Sequence, residues 1–326
     1  MTPQDTARAS RHNELDDFPS LTQRYQRELL AHCYRMSGSV QEAEDLVQET
    51  FLRAWKSSSG FEGRSSVRTW LYRIATNVCL TNLEARPRRP LPTGLGTSDA
   101  NVGDPLDEDP EIAWLEPVPD AAVLVEERDS IRLAFVAALQ HLPARQRAVL
   151  ILRDVLRWKA DEVAGLLETS VAAVNSALQR ARATLAALPE EQRPASVDAD
   201  QSELLAKYVD AFQRYDMDQL VKLLHDDALM TMPPYSFWVR GAGDIIRWMQ
   251  EPSPSACRDS IMVPAGQVNG SPAWAQYKPD PAGGHQPWAL QVNEVSGGRI
   301  SRMTFFLETE RIFPAFGLPA HLGLGA

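Results

Sequence analysis

The chain has 326 residues, enough for two or three domains with cores of their own, and a formal net charge of −10, which excludes a plain basic DNA clamp. Its three cysteines form no CxxC pair, which argues against a disulfide framework or a structural zinc and points to a reducing cytoplasm. The opening stretch MTPQDTARASRHNELDD has no apolar run, and no apolar stretch approaches the roughly 20 residues of a membrane span, so no signal peptide and no membrane are expected.

The charge is unevenly placed. Residues 22–89 carry about +4 and 126–188 about +2, whereas 90–125 carry about −8 and 189–326 about −6. Two mildly basic blocks suited to phosphates therefore alternate with two acidic ones.

In chain order, residues 1–20 are polar and aperiodic and read as a loose arm. Leu21–Met36 is expected to be helical, with Tyr25, Leu29 and Leu30 on its apolar side. Ser39 with Glu42 three residues on matches a capping box, opening a helix whose Ala43, Leu46, Val47, Ala54 and Trp55 fall at helical spacing. Glu42, Asp45 and Glu49 form an acidic ridge on its other side. After the Gly-containing loop Lys56–Gly63, Ser65 or Ser66 can cap a further helix, with Val67, Leu71, Ile74, Ala75 and Val78 turned to a core. Trp70, Arg73 and Asn77 lie on a different face of it, with Arg64 and Arg68 close by. An acidic helix suits docking on a basic protein. A helix mixing aromatic, basic and amide groups suits capture of unpaired bases by stacking and phosphate contact. The ordinary alternative is two amphipathic helices with solvated faces, and periodicity alone leaves both open. The first domain is expected over 21–89, closed by Arg86, Arg88 and Arg89.

Residues 90–125 hold no Lys or Arg but many Asp, Glu and Pro, and read as an acidic linker that cannot fold alone. Within it Trp114-Leu115-Glu116-Pro117 is an apolar island, and a Trp usually finds a place to be buried. Residues 126–188 return to helical periodicity. Pro143 suits the first turn of a helix, and Val163, Ala164 and Leu167, a turn at Glu168–Ser170, then Val171, Val174, Leu178, Ala181 and Leu185 form a helix-turn-helix pattern. Thr169 or Ser170 can cap the second helix, whose other face carries Asn175, Ser176, Gln179, Arg180 and Arg182. Such groups can read base edges and hold phosphates in a major groove.

A third domain is expected over 200–316. Leu204–Arg214 and Met217–Leu224 read as helices, His225–Asp227 as a turn, Ala228–Pro234 as a strand and Gly243–Met249 as a helix. Strands follow at Ile261–Val268, Ala273–Lys278, Trp288–Val295 and Ile300–Leu307, the last after the Gly297-Gly298 turn. Helices first and a sheet afterwards indicate an α+β domain.

The ordered string AEDLVQETFLRAW, followed by F-x-G-R-S-S-x-R-T-W-L-Y-R-I-A-x-N, closely resembles region 2 of bacterial sigma-70 family factors of the extracytoplasmic-function (ECF) group. The stretch from L-P-x-x-Q-R (142–147) to L-Q-R-A-R (178–182) resembles sigma region 4, in the right order behind region 2. The resemblance implies a promoter-specificity subunit of RNA polymerase, without bond chemistry or cofactor, whose partners are core polymerase (the clamp helices of its largest subunit, and its flap) and promoter DNA. It implies that Asp45, Leu46, Gln48, Glu49, Phe51 and Trp55 dock on polymerase. It further implies that Arg64, Ser66, Arg68, Trp70, Arg73 and Asn77 hold the −10 element as single strand, and that Ser170, Asn175, Ser176, Gln179, Arg180 and Arg182 contact the −35 duplex. The linker of such proteins threads the polymerase channel. Two features depart from the family's pattern. Glu168 stands where the turn usually carries Gly, and the recognition helix is less basic than is common.

Residues 200–314, headed by Y-V-D-A-F-x-x-x-D-x-x-x-L-x-x-L-L-x-D-D, resemble the SnoaL-like family, a cone-shaped α+β fold around a pocket that can hold a small ligand. The expected fold class is therefore multidomain: two all-α sigma domains followed by an α+β SnoaL-like domain. Fused to sigma regions, the third domain is expected to regulate them, with Trp114, Leu115 and Pro117 as an interdomain clasp. Two rivals remain at this stage. One is a SnoaL-like isomerase or hydrolase with a helical targeting arm, using Asp226, Asp227, Asp244 or Tyr235 for proton transfer. The other is a ligand-sensing helix-turn-helix regulator.

Overall fold

A computed structural model describes residues 17–63, 65–84, 89–94, 106, 111–123, 132–189, 192–193, 201–250, 253 and 255–323. Its contacts divide the chain into two compact units, residues 1–89 with 120–189, and residues 90–119 with 190–326.

The first unit is helical. Helix α1 (Phe18–Ser37) is capped by Asp17, whose carboxylate accepts from the Ser20 amide, and it ends on Gly38 in the left-handed conformation. Helix α2 (Val40–Ser57) starts at Ser39, whose hydroxyl accepts from the Glu42 amide at 3.2 Å. Helix α3 (Val67–Leu83) starts at Ser66 in the same way, through the Thr69 amide. The three helices pack on Leu29, Tyr34, Met36, Ala43, Leu71 and Ala75, all buried. Cys33 and Cys79 face each other in this core as free thiols, with sulfurs 3.7 Å apart.

Helices α4 (Leu133–Leu139) and α5 (Ala144–Leu150) follow, and α5 runs into a π-helical turn, Ile151–Val155. Helices α6 (Ala160–Leu166) and α7 (Val171–Ala186) form the helix-turn-helix, joined through Glu168 at φ +52°. Arg147 of α5 is buried and ties this half to α1. Its guanidinium donates to the Met36 carbonyl, to Gln140 Oε1 at 2.7 Å and to the Leu142 carbonyl at 3.1 Å. The Met36 carbonyl is one of those the end of a helix leaves without an intrahelical donor, so the contact satisfies both partners.

The second unit is α+β. Helices α8 (Ser202–Gln213) and α9 (Met217–Leu223) precede strands β1 (Leu224–Thr231) and β2 (Trp238–Arg240), then α10 (Ala242–Met249). Strands β3 (Ile261–Val268), β4 (Ser271–Pro279), β5 (His285–Ser296) and β6 (Arg299–Phe306) lead to α11 (Thr309–Ala315). The sheet order is β2-β1-β6-β5-β4-β3, with β1 and β6 parallel and the other pairs antiparallel. Tyr208, Phe212, Phe237, Trp248, Met303 and Phe305 form its core. The expected turn at His225–Asp227 lies instead inside β1. A register shift between Leu224 and Leu229 absorbs these polar residues without ending the strand.

Part of the acidic linker belongs to this second unit. Trp114, Leu115 and Val118 are buried in it. The Val118 amide donates to Asn269 Oδ1 at 2.8 Å, the Asn269 amide donates back to the Val118 carbonyl at 3.0 Å, and Pro119 bridges to Val268. Asn269 and Gly270, both at positive φ, make the two-residue turn between β3 and β4, the Asn-Gly signature of a tight hairpin. Glu116 pairs with Arg311 of α11 at 2.5 Å. Among the described residues no helix is long and apolar enough to cross a membrane, and no cluster of three or more His, Cys, Asp or Glu is placed to hold a metal.

Candidate nucleic-acid interface

Helix α2 carries two kinds of surface. Asp45 and Gln48 are exposed, and Glu49 pairs with Arg53 one turn on at 2.6 Å. Leu46 departs from the expected docking set: it is 3% exposed, on the apolar stripe that meets the core, so it supports the ridge from beneath. Trp55, a member of the same set, departs instead from the apolar stripe. The helical spacing put it on the core face, yet it is 61% exposed, stacked edge-on against Phe18 at 5.2 Å between centroids, with Phe51 beside the same ring at 6.3 Å. Leu52, 54% exposed, extends the apolar patch and was absent from the expected set. Its signal was present: an apolar residue one position off the buried stripe, between Gln48 and Trp55.

Helix α3 presents Trp70, Arg73 and Asn77 together, as the i, i+3, i+7 spacing requires. Trp70 is backed by Phe61, ring centroids 4.9 Å apart, and Phe61 is buried where it closes the preceding loop. Arg68 is turned away from that face. Its Nε donates to Glu28 of α1 at 2.8 Å and its guanidinium lies over Tyr72 at 5.0 Å. Ser66 is exposed and committed to capping. Arg64 lies outside the described residues. Arg73 donates from Nη2 to the Gly165 carbonyl of α6 at 2.6 Å. Between α3 and α6 lies a cleft of about 740 Å³, with Ser65, Ser66, Thr69, Trp70 and Arg73 on one wall and Asp161, Glu162 and Gly165 on the other.

Helix α7 exposes Asn175, Gln179 and Arg180 and buries Val174, Leu178 and Ala181, as its period predicts. Ser170 caps it through the Ala173 amide at 3.1 Å. Arg180 donates to the Ser176 hydroxyl at 2.6 Å. Arg182 makes a bidentate pair with Asp154 of the π turn at 2.9 and 2.7 Å, which raises its pKa and offsets its charge. The readily available cation of this face is therefore Arg180, and the face is dominated by amides.

In the second unit a polar relay crosses the core. The Tyr208 hydroxyl donates to Gln291 Oε1 at 2.9 Å, Gln291 Nε2 donates to Gln276 Oε1 at 2.5 Å, and Gln276 Nε2 donates to the Ser260 hydroxyl at 2.9 Å. Sequence reasoning missed it, because single polar residues within strands give no periodic signal. The acids weighed for proton transfer lie elsewhere. Asp226 is exposed and pairs with Arg299 at 3.1 Å, Asp227 is exposed, and Asp244 pairs with Arg247 at 3.0 Å. Tyr235 is partly buried against the core.

Residues 21–89 match the family model described as Sigma-70 region 2, and residues 132–185 match that described as Sigma-70, region 4. The chain is 50% identical over 321 residues to the ECF RNA polymerase sigma factor SigG of Mycobacterium tuberculosis, covering 94% of this chain and 85% of the relative. It is 29% identical over 246 residues to the ECF RNA polymerase sigma factor SigJ of the same organism, 72% of each chain. The crystal structure of that SigJ resembles the present fold with a TM-score of 0.61 at 24% identity, covering 92% of this chain and 99% of that one. With two helical sigma regions in order and an α+β domain behind them, the chain belongs to the ECF RNA polymerase sigma factors of the sigma-70 family.

Proposed function

We propose that the three helical surfaces divide the work of promoter recognition in the cytoplasm. Helix α2 docks on core polymerase through Asp45, Gln48, Glu49, Phe51 and Trp55, with Leu52 as an added anchor. An acidic ridge beside an exposed aromatic and aliphatic patch suits a basic partner with an apolar pocket. Helix α3 then takes the unpaired −10 strand, Trp70 stacking a base while Arg73 and Asn77 hold backbone and base edge. Helix α7 reads the −35 duplex with Asn175, Gln179 and Arg180, aided by Ser170, Ser176 and Arg182.

The observation that carries this reading is the Trp70–Arg73–Asn77 face of α3, an aromatic platform backed by Phe61 at the edge of the α3–α6 cleft. Its test is run-off transcription with purified core polymerase on a library of promoter DNA. Core-dependent initiation at defined −10 and −35 elements is expected, and its absence would refute the reading.

A second proposal concerns regulation. The burial of Trp114, Leu115 and Val118 in the C-terminal unit favours a SnoaL-like domain that acts on the sigma regions through the linker, as a clasp on the segment that joins them.

A further inference from the structure

Among the described residues three large apolar side chains are exposed: Leu52, Trp55 and Val171. Leu52 and Trp55 belong to the docking patch of α2, which leaves Val171 without a role. It is the first residue of α7, next to the Ser170 cap, and 43% of it faces solvent. Asn175 and Gln179 follow at i+4 and i+8, so the three form one row along the exposed side of the helix. Both amides are exposed, and among the described residues neither has a hydrogen-bond partner. Helix stability does not explain the row, because Val and Asn are weaker helix formers than the alanines around them.

The cations of α7 are engaged beside this row. Arg182 is held by Asp154, and Arg180 donates to Ser176, one turn back on the neighbouring row. In a major groove an Arg fork selects guanine, and an Asn or Gln carboxamide pairs with N6 and N7 of adenine. An apolar group packs on the thymine methyl. The row therefore offers two adenine readers and a thymine contact, and no fork for guanine. We propose that Val171, Asn175 and Gln179 make this protein a reader of A·T pairs in the −35 element, Val171 on a thymine methyl and each amide on an adenine. Four helical residues rise about 6 Å and successive base pairs about 3.4 Å, so the three contacts fall about two base pairs apart. The inference rests on the assignment of α7 to the −35 duplex, and it adds Val171 to the reading set.

The test is initiation by the full chain with core polymerase on a promoter library randomised through the −35 element, with the transcribed templates sequenced. Wild type should select A·T pairs at three positions spaced by about two base pairs. Asn175→Ala and Gln179→Ala should each relax that selection about ten-fold at one adenine, leaving the other positions unchanged. Val171→Ser should relax it by a smaller factor at the thymine. Gln179→Arg should exchange adenine for guanine at its own position, which a purely structural role would not produce. Selection of G·C pairs at these positions by the wild type would overturn the proposal while leaving α7 as the −35 helix. A selection that none of the four variants alters would overturn both.

Discussion

His32 lies fully buried between α1 and α3, its Nε2 3.0 Å from the Thr76 hydroxyl and its ring edge-on to Tyr72. Burial, helped by the charges of Arg35 and Arg68, pulls its pKa from 6.5 down to about 3. The unfolded chain therefore takes up this proton first. The contribution of His32 to the first unit's stability is whole above pH about 6.5 and is lost as the pH falls toward 3, at up to about 1.4 kcal/mol per pH unit. In urea titrations between pH 7 and 5, His32→Gln should flatten that slope, and an unchanged slope would place the acid sensitivity elsewhere. Glu168 is the second informative residue. Its φ of +52° is a conformation that glycine adopts without cost and an L side chain does not, by about 1 kcal/mol. Glu168→Gly should raise the thermal midpoint of the first unit, and an unchanged or lower midpoint would mean that the Glu168 side chain supplies an offsetting contact.

At the scale of elements, α2 separates packing from docking. Trp55→Ala should lower the thermal midpoint by no more than about 4 °C, because a largely exposed side chain contributes about 0.5 kcal/mol or less to stability. It should weaken core polymerase binding by about 30-fold, the cost of a hot-spot aromatic. A large loss of stability with unchanged affinity would reverse that assignment. The helices were legible in the sequence because caps and a 3.6-residue period are local signals: Ser39 caps as expected, and Ser66 and Ser170 are the caps where Ser65 or Ser66 and Thr169 or Ser170 were open. What was not legible is which residues at a stripe's margin fall inside. Leu46 and Trp55 were both read onto the apolar stripe and into the docking set, and only Leu46 lies inside, because a helix's apolar stripe is wide and only its neighbours decide where the core ends. Likewise Arg68 and Arg182 read as phosphate ligands from type and position. Their partners Glu28 and Asp154 lie 40 and 28 residues away in sequence, so no local pattern announces them.

At the scale of the whole molecule, the linker is the feature that composition describes least well. Acidic, Pro-rich residues predict a chain that cannot fold alone, and that is compatible with Trp114, Leu115 and Val118 being buried by a domain that begins some 80 residues later. A fragment ending at Pro189 would therefore expose an apolar segment that the full chain covers. It should bind more of an apolar dye and show altered transcription if the clasp regulates, whereas identical transcription would remove the regulatory role. Asn269→Ala, which deletes the acceptor of the Val118 amide, should shift the full chain part of the way toward the fragment's behaviour.

The most direct measurement compares wild type with Trp70→Ala in run-off transcription with core polymerase, on duplex promoter and on the same promoter with an unpaired −10 segment. The account predicts a loss of about ten-fold on duplex DNA, of the order of one stacked base, that narrows when the segment is already open. Equal initiation by the two proteins on duplex DNA would contradict it.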